Sequence, residues 1–131
     1  KKLQETNKEN GITLVALLLQ LFIVNIITNY DGLKEISKQA KNGDYFSNKI
    51  IYIIDDIDCG ASFNIENGEL QKGENFEPIS NFNGILDGNG YSIKNLYIKT
   101  ESSVIALISN INEQGTVKNL VIDNAYIEGN R

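Results

Sequence analysis

The sequence predicts a mainly β chain, a short parallel solenoid of strands preceded by an apolar N-terminal α-helix. Three observations predict it. Residues 12–28 form a nearly unbroken apolar run; an apolar triplet spaced by three and then two residues returns along the chain; and Asp87-Gly88-Asn89-Gly90 sits between two apolar stretches as a corner.

The apolar run "ITLVALLLQLFIVNIIT" is greasy on every face of a helix except at Gln20 and Asn25. As a helix it would reach roughly 25 Å, near the lower limit for crossing a bilayer. Its two amides would need partners at membrane depth, such as a neighbouring helix. Lys1, Lys2 and Lys8, mixed with Glu5 and Glu9, precede it as a polar leader, an anchoring pattern. Next, "NYDGLKEISKQAKNG" offers Asp31 as an N-cap, Leu33, Ile36 and Ala40 at helical spacing, and Gly43 as a stop. A second, amphipathic helix is therefore expected from about Gly32 to Lys41, as a spacer. Residues 1–43 then hold the leader, the apolar helix and the spacer helix, and residues 44–131 hold the strands. The last turn, ending "EGNR", is expected to be incomplete.

Repeats come before strands, because a missed repeat mis-assigns the fold. "GYSIKNLYI" and "GTVKNLVI" share Lys-Asn-Leu-x-Ile, with Ile98 and Ile122 standing 24 residues apart. The apolar positions run Ile93, Leu96, Ile98 in one copy and Val117, Leu120, Ile122 in the other. On a flat strand a gap of three sends a side chain to the opposite face. A bend at Lys94-Asn95 and Lys118-Asn119 turns all three inward. Ile54, Ile57 and Cys59 show the same gaps, which makes Cys59 a small buried hydrophobe. Successive copies are expected to stack in parallel, Leu96 on Leu120 and Ile98 on Ile122, with Asn95 above Asn119 in a hydrogen-bonded ladder. In this scheme Gly88 and Gly90 supply the positive φ of a tight corner, with Asp87 and Asn89 as its turn residues. The competing reading of the corner is an antiparallel hairpin.

Two resemblances add to these readings. "KENGITLVALLLQLFIV" resembles the N-terminus of type IV pilins and pilin-like surface proteins, which implies cleavage between Gly11 and Ile12 and methylation of the new N-terminus. Ala16 stands at the fifth mature position, where that family carries glutamate. "NKIIYIIDDIDCG", "FEPISNFNGILDGNGYSIKNLYI", "ALISNI" and "GTVKNLVIDNAYIEG" resemble, in this order, the GLUG-repeat proteins of bacterial surfaces. "ALIS" stands in place of the name-giving motif, and Asp56 and Cys59 replace the residues more usual there. The resemblance implies a fold similar to the right-handed parallel β-helix of the pectin-lyase-like superfamily.

Composition excludes much chemistry. The chain has no His, its one Arg is Arg131, and its 17 acidic and 12 basic residues leave a formal charge of −5. Histidine triads, zinc hydrolysis and internal arginine clamps are ruled out, and a nucleic-acid partner is not expected. Asp55, Asp56 and Asp58 invite a calcium or acid–base reading, but at a bend and on an outward strand position they need not converge, and solvated corner residues explain them better. Neither cofactor nor metal is expected. Tyr91, Tyr97 and Tyr126 are candidates for a sugar-binding face, and the polar insertion of residues 60–78 is the first place to look for a ligand.

The function that follows is a non-catalytic structural or adhesive module at the cell surface, anchored to the bacterial membrane by the N-terminal helix and presented to glycans or other surface proteins. The alternatives are a polysaccharide lyase or hydrolase acting on acidic glycans, and a pilin-like filament subunit.

Overall fold

The computed structural model describes residues 23–101 and 106–129. Strand β1 (Ile23–Ile27) leads into the helix α1 (Tyr30–Lys41), and eight further strands follow. They are β2 (Lys49–Ile53), β3 (Ile57–Asp58), β4 (Ser62–Phe63), β5 (Leu70–Lys72), β6 (Ile85–Asp87), β7 (Ser92–Lys99), β8 (Thr116–Lys118) and β9 (Val121–Glu128). One sheet runs β1-β2-β6-β8 and a second β3-β7-β9, all pairs parallel; β4 and β5 form a two-stranded antiparallel ribbon. Isolated parallel bridges join Ile79 to Ile108 and Phe82 to Ile111.

This architecture corrects the expected fold class. In place of a right-handed parallel β-helix behind an apolar N-terminal α-helix, the strands are short and fall into three small sheets, one of them antiparallel. The end of the apolar run is strand β1, paired from Ile23↔Lys49 to Ile27↔Ile53. The reason is residue type: Ile23, Val24, Ile26 and Ile27 are β-branched, stiff at χ1 and suited to a pleated surface, and apolar content alone does not separate a buried helix from a strand. No described helix is long and apolar enough to cross a membrane. The expected cleavage pair Gly11 and Ile12, the leader, and residues 12–22 of the run lie outside the described residues.

Helix α1 buries Leu33, Ile36, Ser37 and Ala40 on one stripe at the i, i+3, i+4, i+7 spacing of an amphipathic helix. Its N-cap is Asn29, whose side chain accepts from Gly32 N–H at 3.0 Å, not Asp31, which instead sits in the first turn and favours the helix dipole. Lys38 and Lys41 occupy the last turn, and Gly43 (φ +100°) follows.

The core gathers Ile27, Leu33, Phe46, Ile51, Ile53, Ile57, Phe76, Ile79, Phe82, Leu86, Ile93, Leu96 and Ile98, each 2 % exposed or less. Burying one such side chain contributes on the order of 1.5–3 kcal/mol. Cα pairing aligns them in files: Ile51 beside Leu86 beside Val117, and Ile57 beside Ile93 beside Ile122. Leu96 lies beside Ala125 and Ile98 beside Ile127, so the expected stacking of Leu96 on Leu120 and Ile98 on Ile122 is replaced by this register. The units in register are Ser92–Lys99 and Val121–Glu128, which share Ile-x-Asn-x-Tyr-Ile. Shared Lys-Asn-Leu-x-Ile instead overlays two different corners.

Candidate functional site

Asparagine builds the corners. Asn89, Asn95, Asn119 and Asn124 all have φ between +51° and +56°, the left-handed region that Asn tolerates better than other non-glycine residues. Asn124 Nδ2 donates to Asn95 Oδ1 at 2.6 Å, and Asn95 Nδ2 donates to Asp58 Oδ1 at 2.9 Å. At the other corner Asn119 Nδ2 donates to Asp87 Oδ1 at 3.1 Å, and Asn89 Nδ2 donates to the Ile53 carbonyl at 2.9 Å. Asn95 and Asn119 thus belong to separate columns, not to the single ladder expected. Gly90 has φ +80° in open space, whereas a Cβ on Gly88 would stand 2.5 Å from Asn119 O and 2.7 Å from Leu120 Cα. Gly88 is glycine because the next strand passes so close, and Gly90 because the chain turns.

The carboxylates serve these corners. Asp55 Oδ1 accepts from Asp56 N–H, and Asp56 Oδ1 accepts from the Ser92 N–H and hydroxyl. Asp58 Oδ1 accepts from Gly60 N–H, and Asp87 Oδ1 from Asn89 N–H. These bonds hold the carboxyls below the usual range: Asp56 chiefly through Ser92 N–H, Asp58 chiefly through the Asn95 amide, and Asp87 chiefly through Asn89 N–H. Among the described residues no group of three His, Cys, Asp or Glu side chains is placed to hold a metal ion. Cys59 is buried, its N–H donates to Lys94 O at 2.8 Å, and burial, then Asp58, push its thiol up to about 12.

The remaining sequence-predicted residues are dispersed. Ile57, Ile93, Leu96 and Ile98 are buried, Val117 and Leu120 half-buried, and Ile54 and Ile122 exposed. Of the three tyrosines, Tyr91 stands apart and exposed. Tyr97 and Tyr126 stack at 5.4 Å between centroids and 15° between planes, with the Phe63 ring 5.9 Å from each.

The polar insertion folds down onto this aromatic cluster. Strands β4 and β5 pair across a turn in which Asn64 Oδ1 accepts from Glu66 N–H and Asn67 Oδ1 from Glu69 N–H. Tyr97 Oη donates to the Gly68 carbonyl at 2.6 Å. Gly68 (φ +72°) leaves room for the Tyr126 ring, which any Cβ there would strike. Tyr97 is therefore covered while Tyr126 stays half-exposed, and the ribbon forms a wall. Beside it opens a cleft of about 520 Å³ lined by Leu70, Asn75, Tyr97, Lys99, Glu128 and their neighbours. Lys99 Nζ lies 3.6 Å from Glu128, and the Asn75 amide holds the Lys99 backbone on both sides, donating to its carbonyl and accepting from its N–H. A smaller groove of about 230 Å³ runs between α1 and residues 74–77, where Lys34 pairs with Glu74 at 3.0 Å and Lys41 with Glu77 at 3.5 Å. Sequence reasoning missed Asn124, Phe63 and Gly68; the shared Ile-x-Asn-x-Tyr-Ile is the signal that marks the first, while only the folded ribbon reveals the other two.

No family model matches the chain, and no solved structure matches it. The chain is similar to halomucin of Haloquadratum walsbyi, 33% identical over 97 residues. The match takes in 70% of this chain and 1% of halomucin, so the chain spans a very small part of that relative's length. The similarity gives the chain a surface or extracellular setting.

Proposed function

We propose that the chain is a non-catalytic structural and adhesive module of a surface protein, presenting its walls and the cleft beside the β4–β5 ribbon to glycans or to other surface proteins. The observation that carries this reading is the use of the acidic side chains. Asp55, Asp58 and Asp87 each accept from a neighbouring backbone N–H, and Asp56, Asp58 and Asp87 tie one corner to the next through Ser92, Asn95 and Asn119. A glycoside-cleaving site needs two carboxyls facing each other across one bond, and a lyase of the calcium type needs carboxylates gathered on the ion. Acids spent on turns serve neither. The resemblance to GLUG-repeat surface proteins and the similarity to halomucin both support the same class. Membrane anchoring forms no part of the proposal, since the described end of the apolar run is a strand.

The test is incubation of the full chain with polygalacturonate and calcium, followed by absorbance of unsaturated product, alongside retention of acidic glycans on immobilised protein. Retention without product is expected, and Lys99→Glu weakens it. Unsaturated or hydrolysed product overturns the reading.

A further inference from the structure

The groove between α1 and residues 74–77 lies within one continuous described stretch, so neither wall depends on where the chain begins or ends. Lys34, Lys38 and Lys41 stand along its helical side at i, i+4 and i+7, the spacing that sets side chains above one another on a helix, and Glu74 and Glu77 stand opposite. Lys34 bridges to Glu74 at 3.0 Å and Lys41 to Glu77 at 3.5 Å, while Lys38 between them has no carboxylate partner. In a chain of formal charge −5 the groove thus holds one spare cation. Its width is fixed from below, where the buried Ser37 hydroxyl donates to the Glu77 carbonyl at 2.5 Å.

Tyr30 lines the same groove, and its hydroxyl is buried without a hydrogen-bond partner. Lys34 Nζ lies 4.8 Å from the centre of its ring. Burial first, and then the nearby Glu74 carboxylate, push the phenol above its ordinary value, so it keeps its proton and stands ready to donate. Glu74 is the natural acceptor, yet its carboxylate is spent on Lys34. A buried donor left unpaired costs free energy with nothing gained in the free protein. An acid entering the groove changes that count. Its carboxylate takes Lys34 and Lys38, Glu74 is released to accept from Tyr30 Oη, and every charged or donor group then has a partner.

We infer that this groove is a binding site for a sugar acid, held through its carboxylate by Lys34 and Lys38 while Glu74 passes from Lys34 to Tyr30. At about 230 Å³ the groove falls below the roughly 300 Å³ at which drug-sized pockets begin, which suits a single ring. Hydroxyls on that ring supply donors to Glu77, whose only ion pair is the long one to Lys41 and whose carboxylate retains acceptor capacity. A bare anion would leave those acceptors idle, and a neutral sugar would leave Lys38 unpaired. The site is separate from the cleft beside the ribbon, and the inference goes beyond the adhesive reading.

The probe is galacturonate, titrated into the full chain and followed by amide shifts in ¹H–¹⁵N spectra, with galactose and acetate as controls. Saturable shifts at Lys34 and Lys38 are expected, with both controls weaker. Lys38→Gln should weaken binding roughly tenfold and Lys38→Arg should restore it, since a charge-assisted bond is at stake. Tyr30→Phe should raise the melting temperature of the free chain, by deleting an unpaired hydroxyl, and still weaken galacturonate binding about fivefold. A merely structural hydroxyl would not move the two readouts in opposite directions. Absence of saturable binding, indifference to Lys38→Gln, affinity for galactose or acetate equal to that for galacturonate, or an unchanged affinity in Tyr30→Phe overturns the inference. Binding lost in Lys99→Glu but kept in Lys38→Gln would place the sugar in the ribbon cleft, which overturns this inference and leaves the adhesive reading standing.

Discussion

Gly88→Ala separates two reasons for a glycine at a corner. At Gly90 an added methyl meets open space, and its cost is that of a left-handed alanine, about 1 kcal/mol. At Gly88 the same methyl meets Asn119 O at 2.5 Å and Leu120 Cα at 2.7 Å. Both are backbone atoms that no rotamer change can move, and their segment is held on the other side, since Gly88 N–H donates to Lys118 O and Gly90 N–H to Asn119 O. The clash must be relieved by separating the corner after β6 from the strand entry to β9. Overpacking of this kind costs about 1–3 kcal/mol, and with two backbone contacts the upper end, about 3 kcal/mol, is expected. At roughly 4 °C per kcal/mol for a chain of this size, Gly88→Ala lowers Tm by about 12 °C and Gly90→Ala by about 4 °C. Urea titration followed by far-UV circular dichroism measures both, and hydrogen exchange at the Gly88 and Gly90 amides locates the damage. An equal or larger loss from Gly90→Ala would show that the close approach is not what selects glycine at Gly88.

Asn95→Gly retains the left-handed backbone but loses both amide bonds and should cost about 1–2 kcal/mol; Asn95→Ala adds the conformational strain and should cost about 1 kcal/mol more, read by urea denaturation. Stability should hold above about pH 5, begin to fall below about pH 4, where carboxyls of the unfolded chain protonate, and keep falling through the lower folded-state values of Asp56, Asp58 and Asp87. The sign follows because all three are depressed on folding, so the folded state binds protons less readily; Asp58→Asn should flatten part of the acid slope in thermal melts. Cys59 should resist iodoacetamide at pH 8 in the native chain and react on addition of denaturant, as its burial and raised pKa require. Ile98→Ala should destabilise by about 2–5 kcal/mol in the same titrations, against under about 1 kcal/mol for Ile127→Ala on the exposed file.

Much of the strand region was legible because its signals are local. Triplet spacing places nine residues on the inside: Ile57, Cys59, Ile93, Leu96 and Ile98 are buried, Val117 and Leu120 half-buried, but Ile54 and Ile122 are exposed. The spacing also put a bend at Asn95 and at Asn119, and both residues have positive φ. Register is harder to read, because the β6–β7 and β8–β9 stretches each carry two asparagine corners, Asn89 and Asn95 in one and Asn119 and Asn124 in the other, and identity of sequence favours overlaying the wrong pair. Only hydrogen-bond partners tell Asn119, tied to Asp87, from Asn124, tied to Asn95. At the N-terminal side the error had another source. Apolar content alone points to helix for Ile23–Ile27, whereas β-branching and pairing with β2 make it a strand. The tyrosines show the limit of residue-type reasoning: alternation places Tyr97 outward, and only the returning ribbon covers it.

The tie from Tyr97 Oη to the Gly68 carbonyl also bears on recognition. Opening the ribbon would break this bond and expose the buried Tyr97 ring to water, so the wall of the adjacent cleft is set before any ligand arrives. A guest there meets a preorganised surface and loses little affinity to ordering protein segments, with selectivity resting on shape instead of closure.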